Sequence, residues 1–391
     1  MFHKFISYFK FINQEPKVRE LFVYRILFTF LPLTVGISSK FLFSISDFSE
    51  FQVFLIYLTS FGGLFSIGFF ATFQYLSARD LLSIRIFQYL AIYLGFLIFT
   101  YFICLFYDIL ALSDWRIGII IIFYLGSESL LNVYTGQRSY KFYYFYPVLR
   151  YLFFLTIVLS GVFSGKYNII LVFELILFLT LFINFYWKYK NFTKSDHTLS
   201  VLYSNVLPNF SSSIGVKNIL LYATFILTNT EAANIKFMYT LFGMVNFVPQ
   251  VVLSDFINKL IKTQLLSLSK TKIVFIGSTF FLVSLLFSVA LFYFNTVFNF
   301  LGNLDIIMIL LFSVVNFLIQ LVIFINQVFF ALGMQRLRLL SDLVFSILMF
   351  TFLALISIIN SVVFLIISAI CMLLIVMFNY FRLKNNQSLY N

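Results

Sequence analysis

A handful of charged side chains stand inside apolar runs of this sequence, where a charge is costly unless it is paired, hydrated or in use. They are Arg25, Lys40, Arg150 and Lys217, with the acids Glu128 and Glu174. Two kinds of chemistry fit such residues. A cation facing a polar cavity binds an anion, and lysine and arginine both suit phosphate oxygens. A carboxylate in an apolar setting either clasps a cation or takes up a proton.

The spacing narrows the choice. Glu128 and Arg150 flank the turn near Arg138 at similar distances. At a rise of about 1.5 Å per residue, both would lie roughly 10 Å inside adjacent antiparallel helices. A salt bridge between them is expected, because an unpaired charge at that depth is expensive. Glu174 has no partner evident in the sequence, which leaves pairing with Lys217 or a role as an ion-coupling group.

Neutral polar residues extend the pattern at the three- and four-residue steps of a helix face. Arg25, Thr29, Pro32, Gly36 and Lys40 share one face; Asn205, Asn209, Ser213 and Lys217 share another; Asn246, Gln250, Ser254 and Asn258 share a third. Such stripes serve either hydrogen bonding between helices or the lining of a cavity. A stripe that ends in lysine or arginine favours the cavity. Arg25 and Lys40 also have the option of snorkelling to the nearer membrane surface.

The elements that must position these residues are membrane spans. The chain is 62% hydrophobic and 10% charged, with mean hydropathy +1.02. Soluble domains carry about 25% charged residues, so lipid is the solvent. A spanning helix needs about 20 mostly apolar residues. Twelve such runs are present, at 21–43, 50–77, 86–110, 117–135, 142–164, 167–187, 201–228, 232–260, 273–297, 304–332, 338–358 and 361–381. They are too long and too continuous for barrel strands. Twenty of the 26 Lys and Arg residues fall on one side of that map, and only Lys40, Arg116, Lys166 and Lys236 on the other. Basic loops face the cytoplasm, so both termini are expected inside.

The expected fold is therefore an all-α polytopic membrane protein of about twelve helices in two six-helix bundles. The bundles cover 1–190 and 200–391, joined by a cytoplasmic linker at 188–200. Pro32 and Gly36 before Lys40, and Pro208 and Gly215 before Lys217, mark a parallel repeat of the two halves. No connection is long enough to be a further domain.

Several functions are disfavoured. Both histidines, His3 and His197, lie in cytoplasmic segments, and no phosphate-cradling glycine loop is present, so neither catalysis nor ATP hydrolysis is expected. Cys104 and Cys371 are far apart within apolar runs, which points to neither a disulfide framework nor a metal site. No cofactor is expected. The net charge of +12 sits in short loops, which suits anionic lipid headgroups better than nucleic acid. The first 20 residues lack a small-residue cleavage site, so no removable signal peptide is expected.

Three segments carry a resemblance. FGGLFSIGFFATFQYLSARD (Phe61 to Asp80), LNVYTGQRSYKFYYFYPVLR (Leu131 to Arg150) and ANIKFMYTLFGMVNFVPQVV (Ala233 to Val252) resemble the second helix, the hairpin of helices 4 and 5, and the eighth helix of bacterial O-antigen-type polysaccharide flippases. These belong to the multidrug/oligosaccharidyl-lipid/polysaccharide exporter superfamily. The resemblance implies a central cavity lined by helices 1, 2, 7 and 8. It implies transfer of an undecaprenyl-pyrophosphate-linked oligosaccharide from the inner to the outer leaflet of the bacterial inner membrane, for surface polysaccharide synthesis. On that reading Arg25, Lys40 and Lys217, and less readily Arg150, meet the pyrophosphate, while Asn209, Asn246 and Gln250 meet sugar hydroxyls. Glu128 and Glu174 supply ion coupling or a buried salt bridge. A polysaccharide polymerase and glycosyltransferases are the expected protein partners. The alternatives are a polymerase or ligase of the same pathway, disfavoured by short outer loops without histidine, and a drug/cation antiporter of the same superfamily.

Overall fold

A lipid-embedded backbone must satisfy its own hydrogen bonds, which makes apolar runs of this length helical. The computed structural model describes residues 16–61, 73, 77, 85–106, 114–136, 140–190, 215, 219–246, 270–298, 306–331, 335–356 and 359–387. Among them there are helices and turns and no strands. Twelve α-helices appear in chain order: α1 Pro16–Leu42, α2 Ile45–Ile56, α3 Arg85–Phe106, α4 Trp115–Gly136, α5 Tyr140–Leu159, α6 Tyr167–Tyr189, α7 Ile219–Ile226, α8 Asn229–Val245, α9 Lys270–Phe298, α10 Ile306–Ala331, α11 Gln335–Leu355 and α12 Ser361–Gln387. One π-helical turn, Tyr57–Phe61, continues α2. Each helix falls on one of the twelve expected spans. Within the described residues, five are long and apolar enough to cross a membrane: Trp115–Tyr134, Tyr167–Tyr189, Ile306–Asn326, Arg336–Leu355 and Ser361–Arg382. The protein is a multi-pass membrane protein.

The chain divides into two compact units, Met1–Phe210 and Ser211–Asn391. Of the expected linker at 188–200, Lys188 and Tyr189 end α6 and Lys190 caps it, and 191–200 lie outside the described residues. In the first unit α1 packs on α2 and α5, and α4 packs on α3, α5 and α6. In the second, α7 packs on α8, and α10 packs on α9, α11 and α12. Helices 2-on-1 and 3-, 5- and 6-on-4 thus recur six helices later, which is the packing signature of a parallel repeat.

Phenylalanine builds much of the first unit's core. The ring of Phe163 meets Phe51 at 5.1 Å and Tyr167 at 5.4 Å between centroids, both edge to face. Phe54 meets Tyr167 at 5.9 Å in the same manner. Such pairs add about 0.5–1.5 kcal/mol each beyond the area they bury. At Gly126 a Cβ would lie 2.7 Å from the Phe178 ring, so glycine there lets α4 and α6 approach closely.

Carboxylates tie the ends of α2 and α8 to distant turns. Ser44 caps α2: its hydroxyl accepts from the Asp47 N–H at 3.1 Å and donates to Asp47 Oδ2 at 3.0 Å. Asp47 Oδ1 accepts from the N–H groups of Phe163 and Ser164, at 3.2 and 2.8 Å, in the α5–α6 turn. That turn depends on Gly161 and Gly165, whose φ angles are 74° and 78°, a region that side chains disfavour. In the second unit Thr228 stands before α8, and its N–H and hydroxyl both donate to Glu231 Oε2, at 3.3 and 2.9 Å. Glu231 Oε1 accepts from the N–H and hydroxyl of Ser361 at the start of α12, at 3.1 and 3.2 Å.

Candidate functional site

The charged residues inside the first unit converge. Arg150 on α5 reaches α6 on one side and α4 on the other. Its Nε and Nη2 donate to both oxygens of Glu174, at 2.6 and 2.9 Å, and its Nη1 donates to Glu128 Oε1 at 2.8 Å. The guanidinium also lies over the Tyr124 ring, 4.4 Å from its centroid. Arg150 is 3% exposed and Glu174 0%. Glu128 keeps more access, with 16% of its side chain exposed. The expected clasp between Glu128 and Arg150 is thus one arm of a triad.

The triad also corrects two expectations. Glu174 pairs with Arg150, not with Lys217, through the fork geometry that matches guanidinium to carboxylate. Sequence spacing missed it because α5 and α6 place the two residues 24 positions apart, and only packing brings them level. Arg150 is enclosed by two carboxylates and a tyrosine ring, so it is not open to a headgroup. What the cluster does chemically is hold two carboxyl groups on one guanidinium in the interior of the bundle.

In the second unit the polar residues are likewise interlocked. Asn246 and Asn316 exchange amide hydrogen bonds at 2.8 and 3.1 Å, and Asn316 also donates to Ser284 at 3.3 Å. These join α8, α9 and α10. Asn246 is 6% exposed, so its amide serves helix packing rather than a sugar hydroxyl. Lys40 stands in the last turn of α1, half-buried, with its ammonium 4.5 Å from the centroid of the Phe48 ring. Arg25 lies on α1 with its side chain outside the described ones, and Lys217, Asn209 and Gln250 lie outside the described residues.

Two residues escaped the sequence reading. Asp342 on α11 is buried, accepts from Asn326 Nδ2 at 3.2 Å, and lies so close to Gly215 that a Cβ there would overlap its carboxylate. Beside it, Ser341 accepts from Asn379 Nδ2 at 2.9 Å, drawing α12 into the same polar layer. An acid four residues inside the expected span at 338–358 was the available signal. Lys236, expected on the outer side, lies in the second turn of α8. Arg116 pairs with Asp114 and donates to Asn168 at 3.1 Å. The hydrogen bonds from Arg116 hold the Asp114 carboxyl below its ordinary range.

Twelve α-helices among the described residues, with one set of six packed like the next, give the fold of MATE family transporters. A solved inward-facing structure of a multidrug resistance MATE family transporter of the MOP superfamily superposes with a TM-score of 0.61 at 12% identity, covering 92% of this chain and 96% of that one. An outward-facing structure of such a transporter gives 0.52 at 12% identity, covering 96% of each chain. Neither a protein-family model nor a curated protein matches the amino-acid sequence. The likeness is one of fold.

Proposed function

We propose that this protein is an alternating-access transporter that flips an undecaprenyl-pyrophosphate-linked oligosaccharide from the inner to the outer leaflet of the bacterial inner membrane. The observation that carries the transport part is the fold itself, matched along 92% of the chain to a transporter. The substrate part rests on charge. The polar stripes on α1 and before α7 end in Lys40 and Lys217, and a cavity lined by cations suits a pyrophosphate. Asparagine and glutamine side chains such as Asn209 and Gln250 suit sugar hydroxyls. A polysaccharide polymerase and glycosyltransferases of the same pathway are the proposed neighbours.

A second reading is a drug/cation antiporter. It is favoured by the triad, which sets two buried acids against one base within the first unit, and by the multidrug transporters that share the fold. One experiment separates the two. On deletion of the gene, the flippase reading expects lipid-linked repeat units to accumulate on the inner leaflet. Normal surface polysaccharide without accumulation, together with increased sensitivity to cationic drugs, would overturn it in favour of the antiporter.

A further inference from the structure

Asn379 Nδ2 donates to Ser341 Oγ at 2.9 Å, and both residues are buried. This bond sets the register of the last hairpin. α11 and α12 pack together as neighbours joined through 356–360, so residues equally far from the bond along each helix lie level. Arg338 is three residues from Ser341 and Arg382 three from Asn379, both toward the inner end. At a rise of about 1.5 Å per residue, each stands about 4.5 Å below the bond. Arg336 and Lys384 form a second level, five residues and about 7.5 Å below it. Packed helices lie about 8–10 Å apart between axes, so four cations crowd the inner end of one hairpin.

Among the described residues no carboxylate pairs with Arg336, Arg338 or Arg382. The first turn of α11 carries two arginines and no acid, the reverse of what a helix N-terminus favours. Such a patch calls for an anion, and its depth says which kind. The apolar spans of the two helices start at Arg336 and stop at Arg382, so the cations stand at the edge of the hydrocarbon. Tyr380, of a type that favours that interface, is exposed close by. The Arg382 guanidinium lies over the ring of Phe378, 5.4 Å from the centroid. Toward the bilayer centre the same two helices expose Leu340, Ile347 and Phe350, and Ile370, Leu373 and Met377. That is apolar surface of the sort that acyl chains cover.

We propose that the inner end of the α11–α12 hairpin is a binding site for an anionic glycerophospholipid. Arg338 and Arg382 hold the phosphate, since a guanidinium makes paired hydrogen bonds to phosphate oxygens. Arg336 and Lys384 add positive charge around the headgroup. The acyl chains lie along the apolar faces of the two helices. Such a site is independent of the cargo carried, because its ligand comes from the membrane around the protein.

The test is native mass spectrometry of the full-length protein, stripped of lipid in detergent. It is titrated with phosphatidylglycerol, or with phosphatidylcholine of the same acyl chains. Phosphatidylglycerol should bind the more tightly. Arg338→Gln and Arg382→Gln should each weaken it about fivefold, and the pair about 25-fold, from the charge lost beside a headgroup. Arg382 is exposed, so its variant keeps the fold and carries the test alone if the pair does not fold. As a control, Lys188→Gln with Lys190→Gln at the inner end of α6 should change the affinity by less than about twofold. An equal loss from that control pair would overturn the site in favour of diffuse attraction to basic loops. Equal affinity for the two lipids would overturn the anionic headgroup. Affinity unchanged in the arginine variants would overturn their role. Displacement of phosphatidylglycerol by inorganic phosphate at the same concentration would overturn the lipid in favour of a soluble anion.

Discussion

Asp47 and Glu231 make the same contact in the two halves of the chain. Each lies three residues after a hydroxyl residue, Ser44 or Thr228, at the start of its unit's second helix. Each spends one oxygen on that hydroxyl and the other on the turn that opens its unit's sixth helix. The contact therefore clamps equivalent ends of two equivalent helix bundles.

Removing either clamp should loosen the same turn. Asp47→Ala and Glu231→Ala each leave backbone N–H groups without an acceptor, at a cost of about 1–3 kcal/mol. The expected result is a lowered melting temperature in detergent and faster hydrogen exchange at Phe163 and Ser164, or at Ser361. Unchanged exchange at those amides would mean that the clamp contributes nothing.

Acid should act on the second clamp in a defined direction. Burial pushes the Glu231 carboxyl up, but hydrogen bonds from Thr228 and Ser361 outweigh it and hold it below its ordinary range. A depressed folded value means that the stabilisation is fully present above the unfolded value, about 4.3. It is lost as pH falls through the lower folded value. The melting-temperature gap between wild type and Glu231→Gln should stay constant from pH 7 to about 5 and shrink below about 4. A gap that widens on acidification would refute the sign.

The triad should respond unequally to the loss of its members. Arg150→Met strands two buried carboxylates and should cost the most, about 3–5 kcal/mol. Glu174→Gln breaks the two-bond fork and comes next. Glu128→Gln should cost least, because Glu128 is partly exposed and its loss leaves Arg150 and Glu174 as a neutral pair. The ranking can be read from thermal unfolding of the three variants, and Arg150→Met with Glu174→Gln should be less than additive.

Asn246 and Asn316 should behave as a unit. Either alanine variant orphans the other amide, at about 1–3 kcal/mol, and the double variant should cost little more than one. Fully additive costs would show that the amides act separately.

Much of the fold was legible in the chain. Continuous apolar runs impose helices in lipid, and twelve such runs were there to be counted. The clasp of Glu128 and Arg150 was legible too, because a hairpin places residues equidistant from its turn side by side. Glu174 was not, since the height at which α6 packs on α4 and α5 depends on contacts such as Gly126 against Phe178. Asn246 looked like part of a cavity stripe. Periodicity finds a helix face without saying what it faces, and here it faces Asn316.

The sequence by itself determined that this is a helical membrane protein and which few charges stand in its apolar runs, because hydrophobicity and charge act locally along the chain. Only the tertiary structure decided which of those charges neutralise one another and which stay open. Arg150 closed on two acids, Glu128 and Glu174, while Lys40 came to lie against the Phe48 ring. Burial and pairing depend on what packs from other helices, and that information is not carried by spacing along one.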